Sequence, residues 1–137
     1  RPLDILDLTK IFRKQEKGAR VLIKKVGDPE RFGVAEIVKG KIVSIEEKPK
    51  RPKSNYVITG IYMYDGNVFD IVKTLKPSKR QEMEITDVNN AYLKNNELYY
   101  DILDGWWTDC GLPETLYRAA SLVRKKAVGL GKKYAPR

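Results

Sequence analysis

Apolar side chains recur along this chain with two different periods, and each period predicts a type of secondary structure. Near the N-terminus they fall at three- and four-residue intervals up to Gly18, which predicts an amphipathic helix over residues 4–17. Asn67 and Thr86 stand where the side-chain caps of two further helices are expected, and Pro113 suits the first turn of a last one. The three additional helices predicted in this way cover residues 67–75, 86–93 and 113–123.

Runs rich in β-branched and aromatic residues predict the strands between these helices. The predicted strands cover residues 19–26, 34–38, 42–47, 56–64 and 98–103. Lys39-Gly40-Lys41 is typical of a tight hairpin between the second and third strands. Because helices and strands are interspersed, the sequence predicts an α/β fold: a layered mixed sheet with flanking helices, partly antiparallel because of the hairpin. The first helix has no strand before it, so a β partner of the sheet is expected to be missing.

Composition bounds the number of domains and the kind of partner. A chain of 137 residues suits one domain, predicted over residues 1–123, followed by a tail over residues 124–137. The formal net charge of +9 invites a nucleic-acid interpretation. However, the tail carries six basic residues and no acidic one, and the chain has no RNA-recognition signature. The sequence therefore argues against a nucleic-acid partner.

Several function classes are excluded by what the chain lacks. It contains no histidine and a single cysteine, Cys110, which rules out Ser-His-Asp and Cys-His catalysis and zinc sites built on histidine or paired cysteines. A metal, if bound, must be a hard cation such as magnesium held by carboxylate oxygens. With no long apolar span and no signal-peptide pattern, a soluble cytoplasmic protein without membrane contact is expected.

Two carboxylates stand where ligands are commonly bound in α/β proteins. Asp109 follows a strand and precedes Gly111 and a helix, so it is either a magnesium ligand or a cap of that helix. Glu47-Lys48 ends a strand, where the carboxylate could accept hydrogen bonds from sugar hydroxyls and the ammonium could meet a phosphate. The alternative for this second pair is an exposed surface ion pair.

Two glycines and an arginine complete the candidates. Gly60 interrupts the most strand-like run and Gly33 follows Phe32 after a turn, so each marks either close approach of a ligand or a bulge. Arg80 could bind a phosphate in a bidentate manner or be solvated. From the residues alone, the ligand is an anionic, hydroxylated molecule.

Six segments, in this order and at this spacing, resemble the sugar-1-phosphate nucleotidylyltransferase family, and most closely the glucose-1-phosphate thymidylyltransferases. They are Asp28-Pro29-Glu30-Arg31-Phe32-Gly33-Val34, Ile45-Glu46-Glu47-Lys48-Pro49, residues 52–65, Leu75-Lys76-Pro77-Ser78, Glu84-Ile85-Thr86-Asp87-Val88-Asn89 and Trp107-Thr108-Asp109-Cys110-Gly111. The resemblance runs from about Lys17 to Val123 and covers the sugar-phosphate-binding, C-terminal part of that Rossmann-like fold.

The resemblance implies a reaction in which glucose-1-phosphate and dTTP or UTP give a nucleotide-sugar and pyrophosphate. The residues it assigns to the substrate are Phe32, Gly33, Glu47, Lys48, Gly60, Tyr62, Arg80 and Trp107. Among them Glu47 would bind sugar hydroxyls, and Lys48 and Arg80, in the catalytic role, would hold the phosphate. Asp109 would be one of two aspartates that bind Mg²⁺ in the complete enzyme.

Departures from the family pattern shape the remaining expectations. Phe32 replaces a tyrosine, Gln81 replaces a glycine, Cys110 replaces a threonine and Trp106-Trp107 is bulkier than usual. The family's Gly-rich nucleotide loop and its first metal aspartate have no counterpart, so this chain alone is not expected to be an active transferase. The alternatives are an enzyme part whose nucleotide-binding half is supplied elsewhere, and a non-catalytic homologue that acts as a phosphosugar-binding or interaction module. The apolar face left uncovered predicts a homo-oligomer.

Overall fold

The computed structural model of the chain describes residues 5–78 and 81–129. Contacts divide the chain into two compact units, Arg1–Gly105 and Trp106–Arg137. The first unit contains the whole sheet and three of the helices, and the second contains the last helix. The structure confirms the predicted α/β class with a mixed sheet and flanking helices.

The first unit is built on a curled five-stranded sheet in the order β3-β2-β4-β1-β5. Its strands are β1 (Ala19–Lys25), β2 (Gly33–Val38), β3 (Lys41–Glu47), β4 (Tyr56–Tyr64) and β5 (Leu98–Ile102). β1 pairs with β4 in antiparallel and with β5 in parallel orientation, and β2 pairs with β3 and β4 in antiparallel orientation. The predicted hairpin is confirmed, since Lys39 and Gly40 both have positive φ, as the tight turns that suit twisted hairpins require.

The helices have bounds close to those predicted. They are α1 (Ile5–Lys14), α2 (Val68–Thr74) and α3 (Ile85–Lys94) in the first unit, and α4 (Pro113–Gly129) in the second. α1 ends three residues before the predicted residue 17, and the chain then turns through Gly18 at a φ of 95°. α4 continues to Gly129, so the end of the domain predicted at residue 123 falls inside this helix.

The two side-chain caps predicted for α2 and α3 are wrong. Asn67 has helical dihedrals and makes no cap hydrogen bond, and Asp65 instead accepts one from the Asn67 backbone N–H at 3.1 Å. α3 begins one residue earlier than predicted, at Ile85, with Glu84 before it. Thr86 is therefore inside the first turn of α3, and its hydroxyl is used elsewhere.

Two apolar clusters hold the sheet and helices of the first unit together. Val21, Ile23, Ala35, Ile42, Ile45 and Ile58 form the larger one on the inner face of the sheet. Ala19, Val88 and Tyr92 form the smaller one, where α3 packs on β1. Burying aliphatic side chains of this size stabilises the fold by about 1.5–3 kcal/mol each. No helix in the described part of the chain is long and apolar enough to cross a membrane.

Candidate functional site

An irregularity in the β2–β3 hairpin decides which residue faces Gly33. Next to the turn, Val38 pairs with Lys41 and Ile37 with Ile42, a register that would bring Gly33 opposite Glu46 if it continued. The register shifts between Glu36 and Ile37, and Gly33 pairs with Glu47 instead. Neighbouring side chains on a strand point to opposite faces. The shift therefore brings the carboxylate of Glu47, and not that of Glu46, beside Gly33.

Gly33, Glu47 and Thr86 form a tight cluster, which we call the Glu47 cluster. The Thr86 hydroxyl donates a hydrogen bond of 2.6 Å to Glu47 Oε2. A Cβ atom on Gly33 would lie 3.2 Å from that carboxylate oxygen and 3.3 Å from Thr86 Oγ1. Glycine suits this position because the carboxylate and the hydroxyl leave little space for a side chain.

Sequence reasoning missed Thr86 as a member of the site and gave it the role of a helix cap. Threonine directly before a helical run is a common capping signal, so the local pattern pointed in that direction. The partner of its hydroxyl lies 39 residues earlier in the chain. No local signal in the sequence connects the two residues.

Lys48 follows Glu47 directly and has an unusual backbone conformation. Its φ is 44°, in the left-handed region that costs residues with a Cβ about 1 kcal/mol or more. The Lys48 N–H donates a hydrogen bond of 3.0 Å to the Phe32 carbonyl oxygen, which joins the end of β3 to the segment before β2. The exposed side chain of Lys48 therefore leaves the sheet beside the Glu47 cluster. Phe32 itself packs under the Arg31 guanidinium, 5.1 Å from the ring centroid.

Gly60 lies in a bulge of β4, one of the two alternatives that the sequence left open. The register between β1 and β4 shifts across this point, so that three residues of β4 face Leu22 alone. Gly60 has a φ of 83°, and a Cβ placed on it would meet no atom within 4 Å. The bulge explains the glycine, and the open space above it leaves room for a ligand.

Tyr62 lies two residues further along β4, where the negative charge of Glu47 affects the pKa of its phenol. Burial raises the pKa of the Tyr62 phenol above its ordinary value, and the negative charge of Glu47 raises it further. The Tyr62 ring stacks on Tyr64, with a distance of 5.9 Å between centroids and an angle of 11° between the rings. Tyr62 is therefore protonated at neutral pH and presents a phenol near a carboxylate.

A cleft of about 450 Å³ opens beside Glu47 and Lys48. It lies between the end of β3 and the start of α3, and its lining also includes Ser78, Glu84, Thr86, Asp87 and Asn90. The carboxylates and amide offer acceptors for hydroxyl groups, and Lys48 is the one cation among these lining residues. Such a lining suits a polyhydroxylated molecule whose anionic group lies close to Lys48.

The second unit contains two of the predicted site residues, Trp107 and Asp109. Trp107 is half-buried in the irregular stretch before α4. Asp109 Oδ2 accepts a hydrogen bond of 3.0 Å from the Gly111 N–H and lies 3.4 Å from Thr115 Oγ1 in the first turn of α4. Asp109 thus organises the turn that leads into α4.

The fit of Asp109 to magnesium is partial. A single carboxylate is compatible with Mg²⁺, which usually keeps several waters and binds substrate phosphates. Across residues 5–78 and 81–129, however, no three acidic, cysteine or histidine side chains come together in a way that could hold a metal ion. The described residues therefore offer one ligand and no complete metal site.

Arg80 lies outside the described residues, so its predicted contact with phosphate stays a prediction. Gln81, which stands where the resemblance has a glycine, has a φ of 58°. The chain therefore keeps, with a residue that bears a Cβ, the left-handed conformation that glycine adopts freely. A hydrogen bond of 2.8 Å from the Gln81 N–H to the Ser78 carbonyl oxygen closes this turn.

The fold agrees with comparisons to known proteins. A family model described as "Nucleotidyl transferase" matches residues 3–126. The chain therefore belongs to the nucleotidyl transferase family.

Curated relatives refine this membership. A glucose-1-phosphate thymidylyltransferase from Xanthomonas campestris pv. campestris is 46% identical over 112 residues, which is 80% of this chain and 38% of the relative. One from Neisseria meningitidis serogroup A is 48% identical over 113 residues, 80% of this chain and 39% of the relative. The chain thus spans less than half the length of the curated relatives it matches.

Solved structures show the same fold. A Bacillus anthracis protein provisionally assigned as a glucose-1-phosphate thymidylyltransferase, solved in complex with sucrose, has a TM-score of 0.83 and 48% identity. That match covers 98% of this chain and 53% of the other. A UDP-glucose pyrophosphorylase complexed with UDP-glucose has a TM-score of 0.77 and 26% identity, over 89% of this chain and 50% of the other.

Proposed function

We propose that this chain is the sugar-phosphate-binding part of a sugar-1-phosphate nucleotidylyltransferase. In the reaction, an oxygen of the glucose-1-phosphate group forms a bond to the α-phosphorus of dTTP or UTP. The bond from that phosphorus to the bridging oxygen breaks, and pyrophosphate leaves. The family membership supports this class of reaction. The observation that carries the sugar-phosphate role is the Glu47 cluster, with Lys48 directly beside it.

Each residue of the site has a task that follows from its chemistry. The Thr86 hydroxyl donates a hydrogen bond to Glu47 Oε2 and so orients the carboxylate. The remaining lone pairs of the carboxylate would accept hydrogen bonds from sugar hydroxyls. Lys48, and by resemblance Arg80, would neutralise the phosphate. The open space above Gly60 and the Tyr62 phenol would form the floor of the sugar pocket, and Phe32 would line it. The role of Trp107 stays a prediction from the resemblance. Positioning of this kind is what phosphoryl transfer requires of a protein.

Asp109 is the residue through which this chain would contribute to a Mg²⁺ site. When bound, the cation would neutralise charge on the phosphates of both substrates. The remaining ligands would be phosphate oxygens, waters and a second aspartate outside the described residues. The Gly111 N–H and the Thr115 hydroxyl would hold the Asp109 carboxylate in place for this role.

The test is a calorimetric titration of the purified chain with glucose-1-phosphate, with and without magnesium, and a second titration with dTTP. We expect the sugar phosphate to bind, Lys48→Ala to lose this binding and Lys50→Ala, an exposed lysine two residues further on, to keep it. A chain that binds neither ligand would contradict the proposal. Release of pyrophosphate from dTTP or UTP separates an enzyme from a module that binds the sugar phosphate without turnover.

A further inference from the structure

Asn89 is a buried polar residue that is only half satisfied. Its side chain is fully buried, on the face of α3 that packs against the sheet. Its Oδ1 accepts a hydrogen bond of 2.7 Å from the Tyr64 hydroxyl. No group in residues 5–78 or 81–129 is a hydrogen-bond partner of its Nδ2. A buried donor without a partner destabilises the fold, a cost which a leucine of similar size would avoid.

The one hydrogen bond that Asn89 does make fixes the centre of an aromatic stack. The Tyr64 ring lies between Tyr62 and Tyr92, with centroid distances of 5.9 Å and 5.6 Å. Stacked rings can slide over one another at little cost, whereas a hydrogen bond at the ring's edge fixes the position of one atom. At the far end of the stack, the Tyr92 hydroxyl donates a hydrogen bond of 2.7 Å to Asp65 Oδ1.

The same helix holds both the aromatic stack and the carboxylate of the candidate site. Thr86 and Asn89 are three residues apart in α3, so they lie on one face of the helix. Thr86 contacts Glu47 at 2.6 Å, and Asn89 contacts Tyr64 at 2.7 Å. Tyr62, the end of the stack nearer to Glu47, is therefore placed relative to that carboxylate through α3.

We infer that Asn89 is a positioning residue: it fixes Tyr64, and through the stack it fixes Tyr62, which forms the floor of the pocket where Glu47 binds the sugar. This inference rests on the proposed sugar-phosphate function. The unsatisfied Nδ2 is the cost of having an acceptor at this point. Polar groups of this kind specify a single arrangement of a core at the expense of stability.

The experiment measures glucose-1-phosphate affinity by calorimetry for Asn89→Leu, Tyr64→Phe and the double variant. Each single variant removes one partner of the same hydrogen bond, so each should weaken binding about fivefold, equivalent to about 1 kcal/mol. The double variant should lose no more than the weaker single variant, because the two residues act through one contact. Asn89→Leu should also unfold at equal or higher denaturant concentration than the wild type, which a merely structural role would not combine with weaker binding.

Tyr92→Phe is the matched control, because it removes a tyrosine hydroxyl hydrogen bond from the other end of the stack. It should lower stability and leave the affinity within twofold of the wild type. Asn89→Leu or Tyr64→Phe with wild-type affinity overturns the inference, and so does an equal loss in Tyr92→Phe. If Asn89→Leu does not fold, the comparison of Tyr64→Phe with Tyr92→Phe decides alone. A wild type that does not bind, or a Glu47→Gln variant that binds normally, contradicts the proposed function itself.

Discussion

Gly33→Ala would push a methyl group into the contact between Glu47 and Thr86. The new carbon would lie 3.2 Å from Glu47 Oε2, 3.3 Å from Thr86 Oγ1 and 3.8 Å from Ile58 Cγ1. The first two separations are shorter than ordinary van der Waals contact. The carboxylate and the hydroxyl would therefore have to move by a few tenths of an ångström. Gly33 lies in a strand and has no positive φ, so its backbone accepts alanine without strain.

Two opposing terms set the effect of this substitution on stability. Overpacking a tight site costs about 1–3 kcal/mol, and the smaller conformational freedom of alanine in the unfolded chain returns about 0.4–1 kcal/mol. The free energy of unfolding should fall by about 1–2 kcal/mol. A displaced Glu47 carboxylate would also lose part of a charge-assisted hydrogen bond worth about 1.5–3 kcal/mol, so glucose-1-phosphate should bind roughly tenfold more weakly.

Gly27→Ala is the matched control for this substitution. Gly27 has no positive φ, and a Cβ placed on it would meet no atom within 4 Å. Its stability should stay within about 0.5 kcal/mol of the wild type, with unchanged affinity. Urea denaturation and calorimetric titration measure the two quantities on the same preparations. If Gly33→Ala matched Gly27→Ala in both, the close packing of the Glu47 cluster would be refuted.

Three further predictions test separate contacts. Thr86→Val removes the hydroxyl hydrogen bond to Glu47 and should weaken glucose-1-phosphate binding about fivefold in calorimetry, whereas unchanged binding would show that the hydroxyl does not orient the carboxylate. Gly18→Ala combines a φ of 95° with a Cβ that would clash with the Glu97 backbone carbonyl oxygen, so urea denaturation should show a loss of about 3 kcal/mol. Gly40→Ala shares the positive φ without such a contact and should lose only about 1 kcal/mol. Burial would raise the pKa of Asp65, but its hydrogen bonds, the first of them from the Gly18 N–H, outweigh burial and lower it. Asp65 therefore stabilises the fold above about pH 4 and loses this effect as the pH falls further, so thermal unfolding of Asp65→Asn should depend less on pH below pH 4, and an unchanged slope would contradict the assignment.

Much of the fold could be predicted because long, strongly patterned segments decide their own secondary structure. The run from Tyr56 to Tyr64 is rich in β-branched and aromatic residues, and it forms β4 with the predicted bounds. The Lys39-Gly40 turn could also be predicted from the sequence, since glycine tolerates the positive φ that a tight hairpin needs. These features depend on neighbours in the chain and not on distant partners.

Composition and resemblance could nominate candidate residues for the site, but they could not predict the contacts among those residues. The pairing of Gly33 with Glu47 depends on a register shift inside the hairpin. No residue type in β2 or β3 predicts a bulge at that position. Thr86 was assigned to a cap because its partner, Glu47, lies in another element. The role of Asp65, which accepts hydrogen bonds from the Gly18 N–H, the Tyr92 hydroxyl and the Asn67 N–H, likewise arises from tertiary contacts.

The sugar-binding role of Glu47 can be tested by measuring the affinity of the chain for glucose-1-phosphate in two matched glutamate variants. Glu47→Gln removes the charge of the carboxylate that accepts a 2.6 Å hydrogen bond from Thr86. Glu36→Gln does the same to a carboxylate that accepts one of 2.7 Å from Ser44 in the same hairpin. We expect the Glu47 variant to lose binding at least tenfold, and the Glu36 variant to bind as the wild type does. Equal affinities in the two variants would contradict this role of Glu47.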